Sequence, residues 1–542
     1  MHFTLTGGIL VVLMGYILIV LAIAFPTYHH SRSFNTFALG TRPFGGLLSG
    51  AAACVSDMGG FLFLALPGTI FAYGLWGVPI ILGIVLGLCL FWRLLPARLL
   101  APELGKEVNS IPDYLARASG DTTPIVKIAF SVAQAIALTL YLCAGYAALS
   151  VIASIVFSTS YQVGLIIAMA LIMLMAFLGG FQTHRRVNLV SLSFILIALV
   201  LLPIVLFVTH GQAAFSGEAV RPLMDIAPAD MAQSIFSVFG WALGYLGLSP
   251  LMLHVMGTRS PKGLKGMRRT SIIVSTVLLL LSCAIGFMGR ALLYPQLNAA
   301  NAEIAYPVLA TMDGTPIFIA GILICGAIAA VFSSGVTHLS TLSASFSWDI
   351  YLTLRENASD RELTWVARIT TVIVAIIAYF LAGDQTQGIM QRVIVAWSAL
   401  GATLGPAVAL CAFYKKTNST GLVAALAAGA LSILILNMLP PLADWGIAVL
   451  VAAFAIAMVF GVVFSHMAPL KRRFAPESVA APAAIVTVEE EAQEIEEPDE
   501  ADNSVEDSEE AQEELPQESS QENIAQAIPQ QEQETIQEEP SS

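Results

Sequence analysis

Three groups of polar or aromatic residues inside otherwise apolar stretches could do chemistry in this chain. The first is Val55-Ser56-Asp57-Met58-Gly59-Gly60, set between the apolar runs Leu47–Cys54 and Phe61–Phe71. A carboxylate near the middle of a bilayer costs roughly 3 kcal/mol on insertion scales, so Asp57 needs compensation. Two adjacent glycines weaken the helix beside it and free carbonyl oxygens that must find a partner other than lipid. A charge and loosened backbone at this depth point to a cation site. The bland alternative is a carboxylate that caps or bridges helices with no ion involved.

The second group is Ala330-Val331-Phe332-Ser333-Ser334-Gly335, followed by Thr337, Ser340, Thr341, Ser343 and Ser345. The adjacent Ser333 and Ser334 hydroxyls, beside backbone carbonyls, offer neutral hard-oxygen ligands suited to a dehydrated Na⁺. Such stripes equally let membrane helices approach closely or bond back to their own backbone, the role expected of Thr337, Ser340 and Ser343. The third group is Gly240-Trp241-Ala242-Leu243-Gly244-Tyr245-Leu246-Gly247, with Pro250 beyond it. Trp241 and Tyr245, four residues apart, share a helix face, and the glycines around them leave room for a small solute. An interfacial aromatic belt would show the same spacing. Tyr141 is a further polar-tipped aromatic inside an apolar run. No soluble catalytic domain, phosphate-binding glycine loop or metal-ligand cluster is present in the sequence. Histidines such as His254 and His338 are scattered, and His338 reads as a packed, hydrogen-bonded residue. Neither an enzyme nor ATP-driven transport is indicated, and no nucleic-acid partner is expected.

The elements that must position these residues are membrane helices. Of 542 residues, 57% are hydrophobic and 12% charged, and the mean hydropathy is +0.78. That composition belongs to an all-α polytopic membrane protein with the lipid bilayer as its surroundings. Thirteen apolar spans are expected, at about 6–27, 43–72, 75–100, 124–157, 161–182, 188–209, 231–256, 270–292, 315–348, 363–382, 387–413, 420–439 and 444–466. The ninth is long for a bilayer of roughly 30 Å and should tilt, bend or protrude. No cleavable signal peptide is expected, so the first span should remain as an anchor. The six cysteines lie in or beside apolar spans and read as small packing residues.

Charge divides the chain. Residues 1–473 carry all 25 Lys and Arg with 16 acids, and residues 474–542 carry 22 acids and no base. With thirteen spans, 22 of the bases fall in loops on one side and only Arg221 and Arg290 on the other, while Arg392 opens a span. By the positive-inside rule the N-terminus faces out and the tail faces the cytoplasm. The tail, rich in Glu, Gln, Pro and Ser, cannot bury enough to fold alone and is expected to be disordered. It reads first as a solvated extension; an unknown cytoplasmic partner is the alternative.

At these motifs the chain resembles the sodium/solute symporter family, and most closely its bacterial sodium/proline symporters. The resemblance runs over about residues 5–465 and rests on an ordered set of motifs. These are Ser56-Asp57-Met58-Gly59-Gly60 with Leu66-Pro67-Gly68, Ile111-Pro112-Asp113-Tyr114, Gly179-Gly180-Phe181, Gly240-Trp241 through Gly247, and Ala329 through Ser334. It implies a leucine-transporter-like core of two inverted five-helix repeats, about 43–210 and 231–414, within a transmembrane domain covering 1–473. It implies sodium held by backbone oxygens of Val55, Met58 and Ala330 and by the hydroxyls of Ser333 and Ser334. Asp57 would draw in the cation and couple its site to gating, and substrate would lie against Ser56, Tyr141, Trp241 and Tyr245. Departures are Gly59 and Ser334, where the proline symporter has serine and threonine, a proline displaced by one position after Leu248-Ser249, and Asn188 where related members have Asp. The expected function is sodium-coupled import of a small organic solute, L-proline first, across a bacterial inner membrane. The alternatives are sodium- or proton-coupled import of another amino acid or organic acid, and a membrane solute sensor.

Overall fold

The computed structural model describes residues 5–30, 34, 45–100, 108, 110–179, 181–214, 231–258, 261–439 and 445–467. The acidic segment 474–542, on which the expectations of disorder and of a partner fall, lies outside the described residues, as does Gly180. The described elements are helical: α1 Leu5–His30, α2 Gly46–Met58, α3 Ala65–Tyr73, α4 Val78–Leu94, α5 Ile111–Ala118, α6 Ile125–Phe157, α7 Tyr161–Leu178 and α8 Phe181–His210. They continue with α9 Met231–Gly244, α10 Ser249–Thr258, α11 Pro261–Leu293, α12 Ala305–Ala310, α13 Ile317–Ser345, α14 Asp360–Ala382, α15 Ile389–Ala399, α16 Gly405–Phe413, α17 Ser419–Met438 and α18 Val449–Phe464.

Among the described residues eleven helical stretches are long and apolar enough to cross a membrane, or twelve when one bent pair is taken as a single span. Thirteen were expected, and the difference has a physical cause. The segment expected as one span at 43–72 is not continuous: α2, with 13 residues, is too short for the roughly 20 a bilayer requires, and α3 runs on with α4 in the 35-residue stretch Ala65–Leu99. The bent pair is Met231–Gly247 with Ser249–Gly257, turned by 46°. Both interruptions occur where glycines cluster, at Gly59-Gly60 and at Gly244 through Gly247.

Burial separates core from periphery. The apolar parts of Ile317–Leu354 and Ile389–Phe413 are mostly buried within the protein, 78% and 83%, against 28% for the first helix. The stretch containing α13 is therefore central, packed by α8, α6, α1, α7 and α2. Its small residues make this possible: Gly326 brings Ala198 and the Phe194 backbone close, and Gly335 receives the Ile172 side chain. At 38 residues this stretch exceeds a bilayer's width, and near its end it passes through a π-helical turn, Phe346–Tyr351, before a last α-helical piece, Leu352–Leu354. There the buried Asp349 carboxylate accepts hydrogen bonds from Ser345 (2.7 Å) and from Ser110, the N-cap of α5. The next turn of α5 is fixed by Asp113, which pairs with Arg117 at 3.1 Å and Lys127 at 2.6 Å. All six cysteines are free; Cys54, Cys143 and Cys325 are buried and pack as expected, whereas Cys89 is exposed.

Candidate ion and substrate site

Helix α2 stops at Met58 because the next residue leaves helical space: Gly59 has φ 43° and ψ −146°. A short 3-10 turn, Gly59–Phe61, follows, and regular helix resumes only at Ala65. The bond from Leu62 N–H to the Met58 carbonyl is stretched to 3.3 Å. The last carbonyls of α2, from Val55 to Met58, thus form the negative end of a helix aimed at the break. Glycine is needed here for space as well as for conformation. A Cβ on Gly59 would stand 2.6 Å from Ser334 Oγ, and one on Gly60 would stand 2.5 Å from the Ala148 Cβ. The break in the first group and the hydroxyls of the second therefore meet directly.

On the facing helix α13, the Ser334 hydroxyl donates to the Val331 carbonyl at 3.1 Å, and the Ser333 hydroxyl donates to Asn188 Oδ1 at 2.5 Å. Asn188 Nδ2 donates in turn to the Ala52 carbonyl at 3.2 Å, so one amide ties α8 to both α2 and α13. Each serine has given its hydrogen away, which leaves oxygen lone pairs for a hard cation. Ala330, also expected at the ion, is fully buried on the same turn. Thr337, Ser340, Thr341 and Ser343 donate back to carbonyls three or four residues earlier, the packing role expected of such a stripe.

Asp57 is 5% exposed. Its Oδ2 accepts a 2.6 Å hydrogen bond from the Tyr245 hydroxyl, and its backbone carbonyl accepts one of 2.9 Å from the Tyr141 hydroxyl. Its Oδ1 has no hydrogen-bond partner among the described residues. A buried carboxylate with one strong donor and no paired base attracts a positive charge. Ser56 is buried too, but its hydroxyl turns onto its own helix, donating to the Ala53 carbonyl at 2.6 Å.

The three aromatic residues expected at the substrate do converge, and a fourth holds them together. Trp397, on α15, lies 5.5 Å from Trp241, 5.0 Å from Tyr245 and 6.5 Å from Tyr141, ring centre to ring centre. Its Nε1 donates to the Trp241 carbonyl at 3.2 Å. Gly244 is the counterpart of this indole, because any Cβ there would strike the Trp397 ring. Phe61, from the break itself, packs 5.4 Å from Trp241. Trp397 and Phe61 lie at this cluster and were not singled out in the sequence; Asn188 was noted there only as a departure from Asp, not as the amide that joins Ser333 to Ala52. The only local signal for Trp397 was Gly244, a glycine one turn from Trp241 whose partner could not be read along the chain.

A family model described as the sodium:solute symporter family matches residues 37–429. A sodium/proline symporter of Escherichia coli (strain K12) is 29% identical over 484 residues, spanning 86% of this chain and 95% of the relative. One from Salmonella typhimurium is 30% identical over 438 residues, covering 79% and 87%. An osmoregulated proline transporter of Bacillus subtilis (strain 168) is 28% identical over 457 residues, covering 83% and 93%. Among solved structures, a Na⁺-coupled sialic acid symporter in a substrate-bound outward-open state superposes with a TM-score of 0.65 at 15% identity, covering 85% of this chain and 98% of that one. A nucleobase-cation-symport-1 family transporter in a closed conformation gives a TM-score of 0.52 at 14% identity, over 81% and 96%. At those identities the likeness is one of fold. The family match, by contrast, spans most of the sequence and contains the break, the paired serines and the aromatic cluster: the chain is a multi-pass membrane protein of the sodium:solute symporter family.

Proposed function

We propose that this chain is a sodium-coupled secondary transporter that carries L-proline into the cell by alternating access, a transporter and not a catalyst. The observation that carries the reading is the junction at Gly59. There a buried carboxylate with an unfilled oxygen, the end of a helix and two serine hydroxyls surround one break, beside a cluster of four aromatic rings. Proline is supported by the names of the relatives. Sodium is held by the backbone oxygens of Val55, Met58 and Ala330 and the hydroxyls of Ser333 and Ser334. Asp57 draws the cation in and senses its arrival through Tyr245 and Tyr141. Substrate lies against Tyr141, Trp241 and Tyr245, with Ser56 turning its hydroxyl outward when the site fills. In this reading the two interrupted helices open the two inverted repeats, the N-terminus faces out, and residues 474–542 face the cytoplasm of a bacterial inner membrane.

Sodium occupancy closes the gap between α2 and α13 and so shapes the substrate pocket. Each ligand then raises the other's affinity by the same factor. One charge crossing 100 mV releases about 2.3 kcal/mol, before any concentration gradient. The test is uptake of radiolabelled proline into proteoliposomes with and without an inward sodium gradient. Flux that needs sodium supports the reading; flux that ignores sodium and collapses with a proton uncoupler overturns the ion, and no proline flux overturns the substrate. If sodium dependence survives Asp57→Asn and Ser333→Ala unchanged, the ion assignment is wrong. Deleting 475–542 should leave uptake intact.

A further inference from the structure

His338 lies one helical turn beyond Ser334 on α13 and is 1% exposed. Its Nδ1 stands 2.6 Å from the Ser334 carbonyl. A carbonyl oxygen can only accept, so Nδ1 carries the hydrogen and the neutral ring presents a lone pair at Nε2. That Nε2 is buried and has no hydrogen-bond partner among the described residues. The ring face is stacked on Tyr141, centroids 4.5 Å apart and planes inclined by 27°. Tyr141 therefore touches two residues, Asp57 through its hydroxyl and His338 through its ring, and each of them carries an unfilled buried acceptor. A buried acceptor left unmet is unfavourable, and nearby Thr337, Ser340 and Thr341 have spent their hydrogens on their own backbone.

We propose that His338 is a substrate-contacting residue whose Nε2 accepts a hydrogen bond from the ammonium group of the carried amino acid. An imidazole nitrogen is a poor ligand for sodium, which prefers oxygen, so the unfilled lone pair fits an N–H donor better than the coupling ion. A secondary ammonium has two hydrogens to place, and Nε2 supplies an acceptor for one of them. The histidine also bonds the backbone of Ser334, so a donor arriving at Nε2 polarises the ring and strengthens its hold on the helix turn that faces Gly59. The inference rests on the transport reading above and deepens it, naming what recognises the amine.

The test compares sodium-driven proline uptake, and its inhibition by N-methylproline and N,N-dimethylproline, in the wild type and in His338→Gln, His338→Leu and His338→Met. These ligands carry two, one and no N–H groups. Wild type should prefer them in that order. His338→Leu and His338→Met should lose about tenfold in proline affinity and leave the dimethyl compound unchanged, collapsing the preference, whereas His338→Gln, which keeps an acceptor, should retain it. Membrane-inserted protein and sodium-induced thermal stabilisation without substrate are measured for every variant, so the glutamine and methionine variants decide the matter if leucine prevents folding. Equal weakening of all three ligands, or of none, overturns the role of His338. Absence of sodium-driven proline uptake in the wild type instead overturns the transport reading.

Discussion

Replacing Gly59 with alanine probes whether the hydroxyl of Ser334 faces the ion. The backbone there, at φ 43° and ψ −146°, is strained for any residue with a side chain by roughly 1–3 kcal/mol. The added Cβ would also lie 2.6 Å from Ser334 Oγ but 3.4 Å from Ser334 Cβ, so the hydroxyl alone is in the way. Gly59→Ala thus carries two costs, strain and displacement of one oxygen from the break. In a Ser334→Ala background only strain remains. Losing one oxygen contact to a charged ligand is comparable to losing a hydrogen bond to a charge, roughly 1.5–3 kcal/mol, or about 10- to 150-fold in half-saturating sodium. The assay is the sodium dependence of uptake in proteoliposomes for the wild type, both single variants and the double variant. Each single variant should raise the sodium requirement within that range, and the double should be little worse than Ser334→Ala, giving a coupling of about 1 kcal/mol or more. Effects that simply add in the double variant would refute the assignment of Ser334 to the ion.

Three further outcomes follow from contacts already described. Tyr141→Phe removes a 2.9 Å donor from the Asp57 carbonyl and should raise the sodium requirement by about 2- to 10-fold, read from uptake at fixed proline, with unchanged protein levels. Asn188→Leu leaves the Ser333 hydroxyl and the Ala52 carbonyl without their partners; it should cost about 1–3 kcal/mol of stability, more without sodium than with it, in thermal unfolding of the purified protein. Glu303 accepts from the backbone N–H groups of Ile389 and Met390, both at 2.7 Å, and so caps α15; Glu303→Gln should destabilise by about 1 kcal/mol and speed hydrogen exchange in the first turn of that helix.

Local chemistry was legible and long-range partnership was not. Asp57 beside two glycines announced a broken helix, because a charge and missing Cβ atoms act on their own segment. Ser333 and Ser334 were legible as oxygen donors for the same reason. That they meet Gly59 is a contact across some 275 positions, and no spacing rule reaches so far. Trp397 hid inside an apolar run where a tryptophan looks like packing. His338 was legible as a hydrogen-bonded residue, which it is, but its unfilled nitrogen is a property of its surroundings. The span count erred at 43–72 because hydropathy averages over a break that leaves composition unchanged.

The glycines at the second bend govern mechanics as well as room. Gly244 sits against the Trp397 indole on one side and the backbone of Gly401 on the other, and Gly247 sits against the backbone of Leu400. Where main chain meets main chain, no rotamer can yield to absorb a displacement, which predicts that 244–247 and 400–401 move together. The junction at Gly59 is different in kind: what it faces is a rotatable hydroxyl. One seam is welded and the other is hinged. In the proposed transport cycle, movement on ion capture would begin at the hinge and pass through the close-packed seam to the aromatic cluster.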